Sequence, residues 1–512
     1  MVTLRKKVFV ILILTCVLLA STLAFASCNN ESTSDNAPSE PTTPTPSTPS
    51  IIETNDEATE KLTLDMNDLS APFEGFGTSL CWWAQDVGRR TEKNGDVEWR
   101  ELAVKALFDK ETGLGLTNLR YNLGANCDYS DYDNYGDKNR FAESFMTTDG
   151  SLDFTRDAGA QWVLKRALDY GVTHVTLFAN SAPTYLTING KAYCTDGARI
   201  NLAPENYSAY AKYFCDVAEH FIDEGVPVKE LSPINEPQWD WVTNGGQEGS
   251  HFTPNEVVDI LVAFVNEMRT RSKLDGVVLS YPECGEWKKD TYNYLDAIMA
   301  NDILRAEIDA FSCHSYWSNS IDKRFFKDYV DEYYTGLKLR QTEWCEMVNG
   351  RDLSIYSALT LAQEVIEDLS ILEVVSWDTW IALSNYDYRD GLIYFENKDA
   401  SLSYPKRYHA MAHFSRFIAN GDRQVASQIK LAGKDGSSFL KHLACKDASG
   451  NLTIVITNSL SEKVLDISAL ADYNNMEVYL TDENHSMEKV YNASVQNKIL
   501  IPSKAILTLV LN

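Results

Sequence analysis

Glu230-Leu-Ser-Pro-Ile-Asn-Glu-Pro-Gln-Trp239 is a short apolar run that stops at a carboxylate and a proline. Pro237 has no backbone N–H to give to a sheet, so the run reads as a strand that ends there. Leu339-Arg-Gln-Thr-Glu-Trp344 has the same form, a strand closing on Glu343 before an aromatic. Outward from these two, strand-like runs recur at Gly75–Leu80, Leu116–Gly124, His174–Asn180, Gly276–Glu283, Ile308–Tyr316 and Val374–Leu383, which makes eight in all. Amphipathic stretches fall between them at Trp99–Phe108, Ala158–Tyr170, Ala209–Glu224, Asn255–Lys273 and Ser354–Leu369. Buried strands alternating with helices predict an α/β fold with a parallel sheet, and eight units predict a closed (β/α)8 TIM barrel over residues 59–420. An open doubly wound sheet is the alternative, disfavoured because no Gly-rich phosphate turn follows any of the strands.

Beyond Gly421 the pattern changes. Leu452–Thr457, Lys463–Ser468, Met476–Leu480, Lys489–Val495 and Ala505–Leu511 are strand-like, separated by turn clusters such as Asp447-Ala-Ser-Gly-Asn451. Residues 421–512 are therefore expected to form an attached all-β sandwich, joined by a strand from residues 60–70. At the other end, Arg5, Lys6 and Lys7 precede an apolar run from Val8 to Leu19, too short for a comfortable membrane span. With Phe25-Ala-Ser-Cys28 behind it, this reads as a lipoprotein-type signal over residues 1–27 and a lipidated Cys28; an ordinary secretory signal is the alternative. Residues 28–58, rich in Ser, Thr and Pro, read as an extended tether. The expected address is secreted and membrane-anchored, facing the cell surface or periplasm, with membrane contact only through the lipid.

The chain has 512 residues, 44% hydrophobic and 23% charged, which excludes a mostly disordered or multi-span membrane protein. The formal charge is −27, moving to −30 once Arg5, Lys6 and Lys7 are removed. So acidic a chain repels phosphate backbones, and no nucleic-acid partner is expected. Of the 10 Cys, eight remain after Cys16 and Cys28 are set aside. They lack CxxC spacing and read as buried thiols, with one disulfide left open.

Barrel enzymes carry their chemistry at the C-terminal ends of the strands. Glu236 ends the fourth strand and Glu343 the seventh, positions that face each other across a barrel mouth. A facing Glu pair is what retaining glycoside hydrolysis requires: one carboxylic acid protonates the leaving oxygen while the other attacks the anomeric carbon, at roughly 5–5.5 Å separation. The acid needs a raised pKa, and the nucleophile needs donors that keep it ionised. Arg120, His314 and Tyr316 end the second and sixth strands and are candidate donors. Trp82, Trp83, Trp239, Trp241, Trp377 and Trp380 fall at or near strand ends, and some are expected to line a sugar groove.

These residues resemble glycoside hydrolase family 30, whose members are retaining enzymes with a (β/α)8 barrel and an attached β-sandwich. The likeness runs through Phe73-Glu-Gly-Phe-Gly-Thr-Ser79, Arg120-Tyr-Asn122, Ala182-Pro-Thr-Tyr185, Ser232-Pro-Ile-Asn-Glu-Pro237, Thr342-Glu-Trp344 and Tyr408–Ile418. It implies Glu236 as acid/base, Glu343 as nucleophile and Asn235 as partner of the sugar 2-hydroxyl. Gly77-Thr-Ser-Leu-Cys-Trp-Trp-Ala84, Asn235-Glu-Pro-Gln-Trp-Asp-Trp241 and Gly246-Gln-Glu-Gly-Ser-His-Phe252 are similar to the endo-β-1,6-galactanase branch. The expected substrate contacts are Asn235, Arg120, Trp82, Trp83, Asn180, Trp239, Gln247, Glu248, His314, Tyr316 and Trp380. For Gln247 and Glu248, a loop held by its own hydrogen bonds is the competing reading.

The expected function is retaining endo-hydrolysis of β-1,6-linked galactan, with β-1,6-glucanase-like and glucosylceramidase-like branches as neighbours. A surface lipoprotein that binds glycans without cutting them is the non-enzymatic alternative, disfavoured because both carboxylates and Asn235 are intact. A metal-dependent barrel hydrolase is set low because the 8 His show no ligand spacing. Acid, nucleophile and water suffice, so neither cofactor nor metal is expected, and the partner is a polysaccharide or oligosaccharide met by a monomer.

Overall fold

A computed structural model describes residues 51–195, 200–242, 246–396 and 401–512. The expected signal, Cys28 and most of the expected tether lie outside these residues.

Eight parallel strands form the barrel: Gly75–Ser79, Asn118–Asn122, His174–Phe178, Val228–Ser232, a broken fifth strand, Ala310–Cys313, Lys338–Gln341 and Ser376–Ser384. The fifth strand consists of Val278–Leu279, paired with the fourth strand, and Pro282–Cys284, paired with the sixth. Strand eight pairs with strand one, so the sheet closes on itself. Each run expected from the sequence overlaps one of these strands, with the strand running one or two residues past the run at the fourth, fifth and eighth. The open doubly wound alternative is excluded by the closure.

The five expected amphipathic stretches are helices, at Trp99–Phe108, Ala158–Asp169, Tyr207–Asp223, Pro254–Met268 and Ile355–Glu367. Pro254–Met268 starts on a capping box, with Thr253 Oγ1 accepting from the Glu256 N–H and Glu256 bonding back to the Thr253 N–H. Thr291–Ala300, Asp302–Glu307, Ser320–Tyr333 and Lys406–Ser415 add helices that the apolar pattern did not announce. Ser320–Tyr333 shows why: its buried positions are Lys323, Phe326 and Val330, so a cation stands where periodicity looks for an apolar side chain.

That cation holds two barrel units together. Lys323 is fully buried, with Nζ 2.7 Å from Asp368 Oδ1 and 2.6 Å from Glu364 Oε1. Asp368 also accepts from Ser315 Oγ and Trp377 Nε1, each at 2.9 Å. The cluster thus ties the outer helices to the residues directly after strand six and within strand eight.

The C-terminal sheet has nine strands and is mostly antiparallel. Glu60–Pro72 lies inside it, antiparallel to Arg423–Leu431 and parallel to Lys463–Asp466. Arg423–Leu431, Lys441–Lys446 and Lys498–Ile501 were not foreseen; half-buried polar residues blur the alternation of the first two, and the third is only four residues long. Met476, Val478 and Leu480 from one end of the strand order share a core with Leu465, Ile499 and Ile501 from the other, so the sheet folds over on itself. Ile52 is buried in this core, so the chain docks before residue 58, earlier than the expected tether allows. The opposite face supplies Leu443, Val455 and Ile506 to the barrel's own core. At that seam His413 is sealed between Thr481 Oγ1 and Thr508 Oγ1, both at 2.8 Å, and burial holds its imidazole down to about 3.

Replacing Lys323 with Met leaves Asp368 and Glu364 buried without their cation. A loss of about 3–5 kcal/mol in unfolding free energy is expected in urea titrations; a loss below ~1 kcal/mol would show that the cluster contributes no net pairing.

Candidate active site

The mouth of the barrel is built from strand ends that turn sharply. Glu236 and Glu283 both take left-handed backbone conformations, with φ of +45° and +52°, and the Glu236 N–H donates to the Glu283 carbonyl at 2.9 Å. Such geometry costs a non-glycine residue about 1–3 kcal/mol and persists only where the surroundings hold it. Here it brings carboxylates from strands four and five beside Glu343 from strand seven. An oxygen of Glu236, an oxygen of Glu343 and a nitrogen of His314 all lie within 4.8 Å of one another.

Each carboxylate has its own partners. Glu343 Oε2 accepts from Arg120 Nη1 at 3.1 Å, and Oε1 accepts from the Tyr316 hydroxyl at 3.0 Å. Glu236 Oε1 meets His314 Nδ1 at 3.0 Å, and Glu283 Oε2 meets His314 Nε2 at 3.3 Å. Arg120 Nη2 donates to Glu283 Oε2 at 2.6 Å, and the Ser232 hydroxyl donates to Glu283 Oε1. Burial resists the charge on Glu283, but Arg120, His314 and Ser232 hold its carboxyl down to about 2. Burial likewise opposes a charged His314, yet Glu343, Glu236 and Glu283 around it lift it to about 9. Burial raises the Glu343 carboxyl above the ordinary glutamate value, against the pull of His314 and Arg120 and with the push of Glu236. Deeper in the barrel, Asp378 is pushed up to about 8 by burial, with Arg120 pulling against it. Gly77 makes room for that carboxyl: a Cβ there would meet Asp378 Oδ1 at 2.2 Å.

Above the carboxylates opens a cavity of 780 Å³, within the range of small-ligand sites. Of the expected site residues, Glu236, Glu343, Trp82, Trp239, Gln247, Tyr316 and Trp380 line it. Arg120 and His314 are buried and reach the cavity only through the carboxylates they hold. Asn235 is buried next to Glu236, its Oδ1 without a protein partner. Asn180 is buried, its Nδ2 3.4 Å from Asn122 Oδ1 and 3.7 Å from Cys81 Sγ.

Two expected contacts are placed elsewhere. Glu248 is fully buried and accepts from the Ala125 N–H and Asn126 Nδ2, each at 3.0 Å, so it staples a loop. Trp83 belongs to the hydrophobic core, its Nε1 donating to the Ser79 carbonyl at 2.9 Å. Trp377 is likewise buried, whereas Trp241 lines the cavity.

Glu283, Arg140, Glu286, Trp317, Tyr386 and Asp390 were not among the expected residues. Glu283 closes the fifth strand-like run and Trp317 follows Tyr316 directly, so both had a signal in the strand ends. Arg140 ends a short 3-10 helix, Lys138–Arg140, and Tyr386 and Asp390 come from a loop, so none of them carries a strand pattern.

Glu236, His314 and Glu343 have the mutual distances of a three-ligand metal set. His314, lifted to about 9 with both ring nitrogens directed at carboxylates, keeps its two protons near neutrality and has no lone pair for a metal. The arrangement suits proton transfer and carboxylate attack better than ligation.

An endo-β-1,6-galactanase of Hypocrea rufa is 24% identical to this chain over 381 residues, covering 71% of it and 76% of the relative. An exo-β-1,6-galactobiohydrolase of Bifidobacterium longum subsp. longum is 29% identical over 35% of this chain, but only 15% of that longer protein is spanned. Among solved structures, a conserved exported protein from Bacteroides fragilis superposes with a TM-score of 0.76 at 21% identity, covering 88% of this chain and all of the other. The profile of O-glycosyl hydrolase family 30 matches residues 59–394, which contain all eight barrel strands and both facing glutamates. The chain belongs to glycoside hydrolase family 30.

Proposed function

We propose that this glycoside hydrolase is a retaining endo-β-1,6-galactanase in which Glu343 is the nucleophile and Glu236 the acid/base. The observation that carries this reading is the 4.8 Å limit on the Glu236–His314–Glu343 set. That spacing suits direct carboxylate attack, whereas an inverting pair stands roughly 6.5–9.5 Å apart to admit a water. The linkage and sugar are supported by the endo-β-1,6-galactanase and the exo-β-1,6-galactobiohydrolase among the relatives, and endo action by the first of these, which matches over more of this chain.

Arg120 and the Tyr316 hydroxyl donate to Glu343, which suits it to attack as a carboxylate, while Glu236, whose Oε1 meets His314 Nδ1, is assigned the proton transfer. In the first half-reaction a Glu343 oxygen bonds to the anomeric carbon as the glycosidic bond breaks, and the Glu236 proton passes to the leaving oxygen. In the second, Glu236 takes a proton from water as that water's oxygen displaces Glu343. Asn235, with its unpartnered Oδ1, is assigned to a sugar hydroxyl. At residues 1–28, we propose lipoprotein export, with Cys28 as the anchor.

Incubation with β-1,6-galactan is expected to release β-configured oligosaccharides seen by proton NMR before mutarotation; α-configured products would exclude retention. Glu343→Gln is expected to lose at least ~10³-fold in kcat, and Glu236→Ala to regain turnover on activated aryl glycosides when azide is added. His314 is expected to keep both ring protons at pH 7 in nitrogen-15 NMR and to titrate near pH 9. Because that value lies above the unfolded ~6.5, its stabilising contribution is complete below pH ~6.5 and is lost as pH rises through about 9. A titration near 6.5 would remove the cationic bridge.

A further inference from the structure

We propose that Trp317, backed by Trp239, is the platform on which the leaving sugar stacks; this rests on the glycosidase reading above. A proton donor must reach the leaving oxygen, so the leaving sugar occupies the wall on the Glu236 side. Trp239, Trp241, Glu286, Lys288 and Trp317 follow strands four to six and line the cavity with Glu236, and Trp317 touches both Trp239 and, at 5.5 Å between rings, Tyr316. Gly285 lets this wall close tightly: a Cβ there would lie 2.8 Å from Glu236 Oε1 and 2.8 Å from Trp239 Nε1, so the Trp239 indole N–H and the acid's oxygen converge on one point.

Trp317 is 55% exposed, an unusual state for the largest apolar side chain, yet it is not loose. Its ring stands edge-on to Trp239 at 5.6 Å and 86°, its φ is +51°, and its carbonyl accepts from Lys288 Nζ. Elsewhere in the lining, Trp82 takes the Arg140 guanidinium at 4.5 Å and meets Trp380 edge-on at 5.2 Å. A fixed and open indole suits the apolar face of a pyranose, with the Trp239 N–H beside it for a hydroxyl.

The test compares two donors, β-1,6-galactotetraose and β-1,6-galactobiosyl fluoride, whose fluoride leaves that subsite without a sugar. In Trp317→Ala the ratio of kcat/KM for the tetraose to that for the fluoride is expected to fall at least tenfold. Trp317→Phe is expected to restore it to within about threefold. Transfer to added galactobiose relative to hydrolysis is expected to fall as well, because the acceptor hydroxyl that attacks the glycosyl-Glu343 ester, giving its proton to Glu236, must sit in the same place. Parallel loss on both donors, or an unchanged ratio, would overturn the proposal. Should the wild type cleave a different β-linked oligosaccharide, that sugar and its fluoride replace the pair, so loss of the galactan reading leaves this test standing.

Discussion

Arg120 carries a positive charge into the closed interior of the barrel and divides it between two carboxylates, Glu283 and Glu343. The planar guanidinium presents two nitrogens at a fixed angle, which a lysine ammonium could not do across strands two, five and seven. His314 repeats the arrangement one layer higher, between Glu283 and Glu236. Glu283 is the hub shared by both cations, although it is fully buried and does not line the cavity. Once Arg120 is removed, Glu283 and Glu343 each lose a counter-charge, leaving His314 alone among three carboxylates. The reactive pair therefore depends on an ionic lattice in a barrel centre that branched aliphatic side chains usually fill.

Strand order and the facing glutamates were legible because they depend on local chemistry. An apolar run broken by proline or an aromatic announces its own end, and Glu236 and Glu343 stand at two such ends. The lattice beneath was less legible, because Arg120, Glu283 and His314 come from three different strands and look ordinary one by one. Glu248 and Trp83 misled for a related reason: they neighbour cavity residues in sequence but turn the other way, one to the Ala125–Asn126 turn and one into the core. In the helix Ser320–Tyr333, a buried lysine replaced the apolar mark by which a helix face is read. Periodicity reports what faces the core, not what charge the core has been built to hold.

The site is also braced from outside the barrel. Ser315, next to His314, accepts from Trp287 Nε1 at 2.8 Å and donates to Asp368, which Lys323 neutralises. The helices carrying that cluster continue to the folded-over sheet, where Lys441 pairs with Glu367 and the Leu443, Val455 and Ile506 side chains join the barrel core. The second sheet thus works as a buttress to the wall that fixes His314.

The eight described cysteines are all buried thiols, and none is tied in a disulfide. Sealed inside, with burial pushing Cys284, Cys313, Cys345 and Cys445 above the ordinary thiol range, they stay unreactive while the fold holds. Once the molecule opens in air at alkaline pH, the same sulfurs become competing nucleophiles, and wrong cross-links can form before the barrel recloses. Heat inactivation under those conditions then becomes a one-way event timed by the rate of opening, and an added reductant makes it recoverable.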